Sequence, residues 1–331
     1  MPRPLLSKVV LFVSLTAATG LALAAGCVAS PPVEPCHLGS ECESGICDDG
    51  ACVPATSSTK TSSTGGGEGG GGAGSASSTT GASMSTTGTM SSSSSGGGTC
   101  TPNHDGTITS AEVPLVAGVS AKFLAATDAT FATMGTDAGG GKRKWDLSQT
   151  FSGDHLSLVE AQAIAGQWYA GEFAGASYAA KLSETNDLLG VFEIAGENLL
   201  LRGVVSPSDG LQKTELTYDP PVVVLAFPLT KNKTWNTDST VTGYAQGILV
   251  TYTEDFTNVV DQEGTLVTPF GSFDVLRVRT TLDRTQGFLT TKIRSFSFTT
   301  ECFGTVASLF AQDNEPNVEF SDVAELRRLT P

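Results

Sequence analysis

The chain has 331 residues, and its 34 acidic against 19 basic side chains give a formal charge of −15. Such a surface repels phosphate backbones and anionic headgroups, which argues against nucleic acid as a partner. Only 16% of the residues are charged while Gly, Ser and Thr abound, the balance of an exported envelope protein rather than a cytosolic enzyme.

Residues 1–26 open with Arg3 and Lys8, continue in an apolar run from Val9 to Leu23 and close on Ala24, Ala25 and Gly26. This is the anatomy of a cleaved export signal. The run is interrupted by Thr16, Thr19 and Gly20 and falls short of the roughly 20 residues that a bilayer crossing needs. The segment Leu23-Ala24-Ala25-Gly26-Cys27 resembles the lipobox of bacterial lipoproteins, although that family places its leucine one residue nearer the cysteine. The resemblance implies that Cys27 becomes the lipidated N-terminus and ties the protein to a membrane. Val28 stands where an acidic residue would retain such proteins at the inner membrane. The resemblance therefore implies the outer membrane, with the body facing the periplasm or the cell surface.

Residues 27–54 hold Cys27 and the cluster Cys36, Cys42, Cys47 and Cys52. A segment this small buries no useful core, so covalent links take its place. The seven cysteines sort without remainder: one for lipid, four that pair among themselves, and Cys100 with Cys302. Even numbers in an exported chain argue for disulfides. His37 is the one histidine nearby and no Cys-x-x-Cys spacing occurs, which weighs against a metal site. The stretch Leu38-Gly39-Ser40-Glu41-Cys42-Glu43-Ser44-Gly45-Ile46-Cys47 resembles short cysteine-rich repeats of exported myxobacterial proteins. Its acidic neighbours Asp48 and Asp49, with Glu41 and Glu43, leave two readings open, a solvated disulfide knot and a cation site.

Residues 55–99 are almost wholly Ser, Thr and Gly, with Lys60 and Glu68 their only charges. Such a stretch cannot offset its ordering entropy and is predicted to be a disordered tether. Its 45 residues would span roughly 35–40 Å r.m.s. as a flexible coil.

The folded part, 100–331, begins with Thr101 to Glu112, which resembles the twelve-residue EF-hand loop. That loop takes oxygen ligands from positions 1, 3, 5, 7, 9 and 12 and a glycine at position 6. Here these are Thr101, Asn103, Asp105, the Thr107 carbonyl, Thr109 and Glu112, with Gly106 at the turn and Ile108 in its usual place. The resemblance implies a Ca²⁺ ion. Thr101 replaces the acidic first ligand, and the Gly-rich tether and Pro114 replace the flanking helices. Two carboxylates alone put the expected affinity in the millimolar class of extracellular sites. The same residues also fit an Asx-type turn in which Asn103 and Asp105 cap their own backbone, and that reading requires no cofactor.

Beyond the loop, Leu158, Ala161, Ile164, Ala165 and Trp168 recur at helical spacing and predict one short helix over Ser157–Tyr169, with Asp154 near its cap. Val191–Ile194 and Leu199–Val205 flank Ala195-Gly196-Glu197-Asn198 as a hairpin, and Val222–Phe227 reads as a strand opened by Pro220-Pro221. Ile248, Val250 and Tyr252 alternate with Leu249, Thr251 and Thr253, and Leu289, Thr291 and Ile293 precede Phe296 and Phe298. Pro269 and Gly271 turn the chain between strands, and Phe273, Val275, Leu276 and Val278 feed a core. These are antiparallel signals, and the predicted fold is mainly β, an antiparallel curved sheet or incomplete barrel. The stretch 222–300 resembles a group of envelope proteins with a Pro-x-Gly-x-Phe turn before a strand, several of them similar to the curved-sheet lipoprotein carriers.

Chemistry finds little support. His37, His104 and His155 are scattered, and no nucleophile elbow, zinc-protease or phosphate-loop motif occurs in the folded part. The leading expectation is a non-enzymatic, lipid-anchored envelope protein that presents a β-rich interaction domain on a flexible tether to an unknown protein, glycan or apolar ligand. A second reading is a lipid or hydrophobic-ligand carrier whose half-barrel encloses an apolar cavity. A third is a carbohydrate-active hydrolase using a pair among Glu172, Glu193, Glu254 and Asp255 beside an exposed Trp145, Trp168 or Trp235.

Overall fold

The computed structural model of the protein describes residues 100–331 and the backbone of two short strands, β1 (Cys47–Asp48) and β2 (Ala51–Cys52). The predicted export signal 1–26, Cys27, Cys36, Cys42 and the predicted tether 55–99 lie outside the described residues. Two compact units divide the chain, Met1–Ser85 and Thr86–Pro331. In the first, β1 and β2 pair antiparallel, with Cys47 opposite Cys52 in the backbone register.

The second unit is mainly β, as the alternating runs predict. Its shorter strands are β3 (Ser120–Thr130), β4 (Thr136–Gly139), β5 (Lys142–Asp146), β6 (His155–Glu160), β7 (Tyr178–Lys181), β8 (Leu189–Ala195) and β9 (Asn198–Val205). There follow β10 (Glu215–Ala226), β11 (Thr234–Ala245), β12 (Ile248–Val267), β13 (Ser272–Gln286), β14 (Leu289–Thr300), β15 (Gly304–Ala311) and β16 (Asp322–Leu329). From β7 to β16 each strand pairs antiparallel with the next. The path then continues through β3 to β6. The edges β6 and β7 meet where Gln162 and Ala179 exchange backbone hydrogen bonds of 2.7 and 2.9 Å. The sheet is thus nearly closed into a barrel, which hides edges that would otherwise pair with other chains. One end, called proximal here, carries the turns 196–197, 268–271 and 301–303 together with loop 101–112. The turns 246–247 and 287–288 stand at the opposite, distal end.

Off the main path β4 pairs with β5, and β5 runs parallel to β12 over Gly264–Val267. Glycine is required at 264, because a Cβ there would sit 1.8 Å from the Arg143 carbonyl oxygen. Strands such as β13 are apolar on both faces, each face joining its own cluster. Val275 joins a cluster with Trp145, Leu266, Phe296 and Phe298, while Leu276 and Val278 join another with Leu199, Leu225 and Tyr178. The turn before β13 is the expected one, closed by the Thr268 N–H on the Gly271 carbonyl at 2.8 Å.

Two arginines lie wholly within this core. Arg277 pairs with both oxygens of Asp261 at 2.9 and 3.0 Å, reaches Glu319 at 2.6 Å and lies 4.1 Å from the Phe296 ring centre. Arg328 donates to both oxygens of Asp154 and to the carbonyls of Leu147 and Gln149, over the Phe151 ring. Burial pushes the Asp154 carboxyl up, but the Arg328 hydrogen bonds and the Phe151 N–H outweigh it and hold the group below its ordinary range. At Asp261 burial wins over Arg277 and Arg279, and the carboxyl is raised.

Three expectations are corrected. The helix over Ser157–Tyr169 does not form: 155–160 is β6, Gln162 makes the barrel seam, and 164–175 run as bends and turns with Gly166 at φ +86°. Leu156 and Leu158 are exposed, whereas Ser157 between them is buried and donates to Glu184 at 2.6 Å. A partner for the polar group, not apolar content, decides the inward face there. Asp154 accordingly caps no helix and serves Arg328 instead. Finally, β10 begins at Glu215 and carries Pro220 and Pro221 inside it, where the register to β9 shifts between Thr217 and Val222, the ladder gap that proline imposes. Among the described residues the helical element is a single 3-10 turn, Ser110–Glu112.

Candidate functional site

Loop 101–112 opens the barrel unit and is held at three points. Cys100 is bonded to Cys302, as the cysteine count led us to expect, with Cα atoms 5.5 Å apart. The Glu301 carboxylate accepts the N–H groups of Asn103 and His104 at 2.6 and 3.2 Å. Ile108, buried, exchanges backbone hydrogen bonds with Leu229 at 3.0 and 2.7 Å.

Inside the loop the side-chain oxygens serve local N–H donors. Asn103 Oδ1 accepts from the Asp105 N–H at 2.9 Å, and the Asp105 carboxylate from the Thr107 N–H at 2.7 Å. Glu112 folds back to accept from Asn103 Nδ2 at 2.7 Å and from the N–H and hydroxyl of Thr109 at 2.8 Å each. Gly106, at φ +81°, makes the turn. Asn103, Asp105, Thr107, Thr109 and Glu112 therefore converge in one small loop, while Thr101 lies outside this bonding and lines the adjoining cleft. A cation would draw on the second lone pairs of these oxygens. Among the described residues no group of three or more His, Cys, Asp or Glu is placed to hold a metal ion, so the donors would be mainly amide, hydroxyl and carbonyl, which keeps affinity low.

A cleft of ≈ 500 Å³ runs between this loop and the proximal ends of β12, β13 and β14. Phe270, Phe273 and Phe303 form one wall, their ring centres 5.2 to 6.1 Å apart. Glu263, Asp274 and Glu301 supply carboxylates along it. His104 Nδ1 lies 3.2 Å from Asp274 Oδ2, both well exposed, a contact that contributes little in water. The histidine of the cleft thus faces a carboxylate rather than a hydroxyl or thiol. An aromatic wall beside hydrogen-bond acceptors suits binding of an apolar group that carries a donor or positive charge.

The carboxylates considered for hydrolysis do not meet here. Glu193 pairs with Arg202, Glu254 with Arg284 at 2.6 Å, and Glu172 and Asp255 are exposed elsewhere. Trp145 is buried, and Trp168 and Trp235 are half-buried, donating to the carbonyls of Ser206 and Val223. Sequence reasoning missed Glu301 and Asp274, although an acidic residue directly before Cys302 was a usable signal that the bridge region binds the loop backbone. No protein-family model, curated protein or solved structure significantly matches the chain.

Proposed function

We propose that this is a lipid-anchored envelope protein, non-enzymatic, whose barrel is a binding module held on the linker 55–99, with the proximal cleft as its contact site. One observation carries the proposal. The chain enters the barrel through a loop fastened by the Cys100–Cys302 bond and by Glu301 on Asn103 and His104. Cys100, where the described barrel residues begin, is thereby fixed beside the cleft. The apolar clusters and paired arginines of the interior favour this reading over a carrier with a dry cavity. Mass spectrometry of the membrane-extracted protein should find Cys27 acylated at the mature N-terminus, and Cys27→Ser should abolish that mass. An unmodified Cys27 in the extracted protein would remove the anchor from the proposal.

Weak calcium binding in loop 101–112 is a second reading, favoured by the position of Glu112 across the loop at 2.7 Å from Asn103. Titration calorimetry with millimolar Ca²⁺ should give heat that Glu112→Gln loses. Silence in both proteins would leave the loop as a self-bonded turn.

A further inference from the structure

Two neighbouring hairpins make the distal end. In the β11–β12 hairpin, Gln246 at φ +49° and Gly247 at φ +78° form a two-residue turn, the geometry that matches strand twist. In the β13–β14 hairpin, Gly287 at φ +62° precedes Phe288 at the apex. Because β12 pairs with β13, the tips are neighbours, and the β11–β12 tip projects beyond the other. Tyr244, Ile248, Leu249, Phe288 and Leu289 are exposed there, Leu249 at 71% and Phe288 fully. Leu211, 98% exposed, joins them from a loop whose Lys213 carbonyl accepts the Gly247 N–H at 2.8 Å.

Three features set these tips apart from ordinary surface. Turns favour Gly, Asn, Asp and Ser, so backbone geometry does not call for phenylalanine at 288. The sequence carries no charge from Ser239 to Thr253 or from Thr285 to Thr291. Within the two hairpins charges return as the cross-strand pairs Glu254–Arg284 and Asp283–Lys292. On the β10 side of the tip Lys213 pairs with Glu215, which stands opposite Tyr244. The uncharged arm from Glu254 to Gly247 is about 23 Å long at about 3.3 Å per residue. Ile248 and Leu249, successive strand residues that point to opposite faces, are both exposed. A protein groove would cover one face, whereas lipid surrounds both.

We propose that the distal tips insert into the interfacial layer of a zwitterionic lipid bilayer, with the charged pairs at Glu254 and Asp283 remaining in water. A net negative chain favours a neutral lipid surface over an anionic one. Insertion stops near the headgroup boundary, because β12 runs past the last pair with β13, Thr253 with Thr285. Its outward backbone groups beyond that point would go unsatisfied in hydrocarbon.

The test uses the full chain with Cys27→Ser, so that no acyl chain contributes, and reads the difference between this protein and its tip variant, which share the apolar run Val9–Leu23. This protein should float with phosphatidylcholine vesicles, and less with phosphatidylglycerol. Adding Leu249→Ser and Phe288→Ser should cut the vesicle-bound fraction about tenfold or more, while an unchanged melting midpoint shows the fold intact. Protein that stays at the bottom of the gradient, or equal recovery of the tip variant, overturns the proposal. So does a dimer at micromolar concentration that the tip variant converts to monomer, since the tips would then serve a second copy of the chain.

Discussion

At the proximal end of the barrel every segment is tied down: the Cys100–Cys302 bond, Glu301 on the loop backbone, the stacked Phe270, Phe273 and Phe303, and Arg328 gathering the carbonyls of Leu147 and Gln149. The distal end holds its hairpins by strand pairing and leaves Leu249 and Phe288 in solvent. The proximal side chains stabilise the fold, and the distal ones, which bury little, contribute little to it. A cluster of exposed apolar side chains that contributes little stability points to contact with something outside the chain, whereas the proximal aromatics both pack on one another and wall the cleft.

The sharpest way to break this contrast is to cut the bridge. The crosslinked cysteines are 202 residues apart, and loop-closure entropy then makes the bond worth about 5 kcal/mol. Replacing Cys100 and Cys302 by alanine should lower the unfolding free energy in urea by an amount of that order, and reductant should do the same to the natural protein. Replacing Leu249 and Phe288 by serine should change it by less than about 0.5 kcal/mol, as for surface sites away from structural features. Equal losses at the two ends would erase the distinction.

Much of this architecture was legible in the sequence, and what was not has physical reasons. The hairpin at 195–198, the turn at 268–271 and the inward Phe273, Val275, Leu276 and Val278 follow from local turn chemistry and alternation, which act over a few residues. The Cys100–Cys302 pair followed from counting. The segment 155–169 misled because Leu156 and Leu158 face outward while Ser157 faces in toward Glu184, a partner 27 residues away. Loop 101–112 was legible as a motif, yet its clamp, Glu301, lies 198 residues from Asn103. Nothing local announces such a contact. The buried arginines were hidden for the same reason, since Arg277 and Arg328 are satisfied by carboxylates on distant segments.

Asp154 gives a smaller and more selective way to sharpen the contrast, because its effect depends on pH. Its carboxylate is 10% exposed beneath a guanidinium that is fully buried, so Asp154→Asn leaves Arg328 charged without its counter-ion, a loss of about 3–5 kcal/mol for a buried pair. The group is held below its ordinary value of 3.8. Its stabilisation is therefore fully present above that value and is lost as the pH falls through the lower folded one. Asp261, raised by burial, works the other way: its contribution is complete below its ordinary value and declines as the pH rises through the folded one. The two partly cancel in the natural protein, so its own acid profile understates Asp154. Urea unfolding of natural and Asp154→Asn protein between pH 7 and pH 2 should show the difference between them shrinking below about pH 4. A difference that stayed constant to pH 2 would mean that the proximal end is held by packing around Phe151 and not by the Arg328 pair.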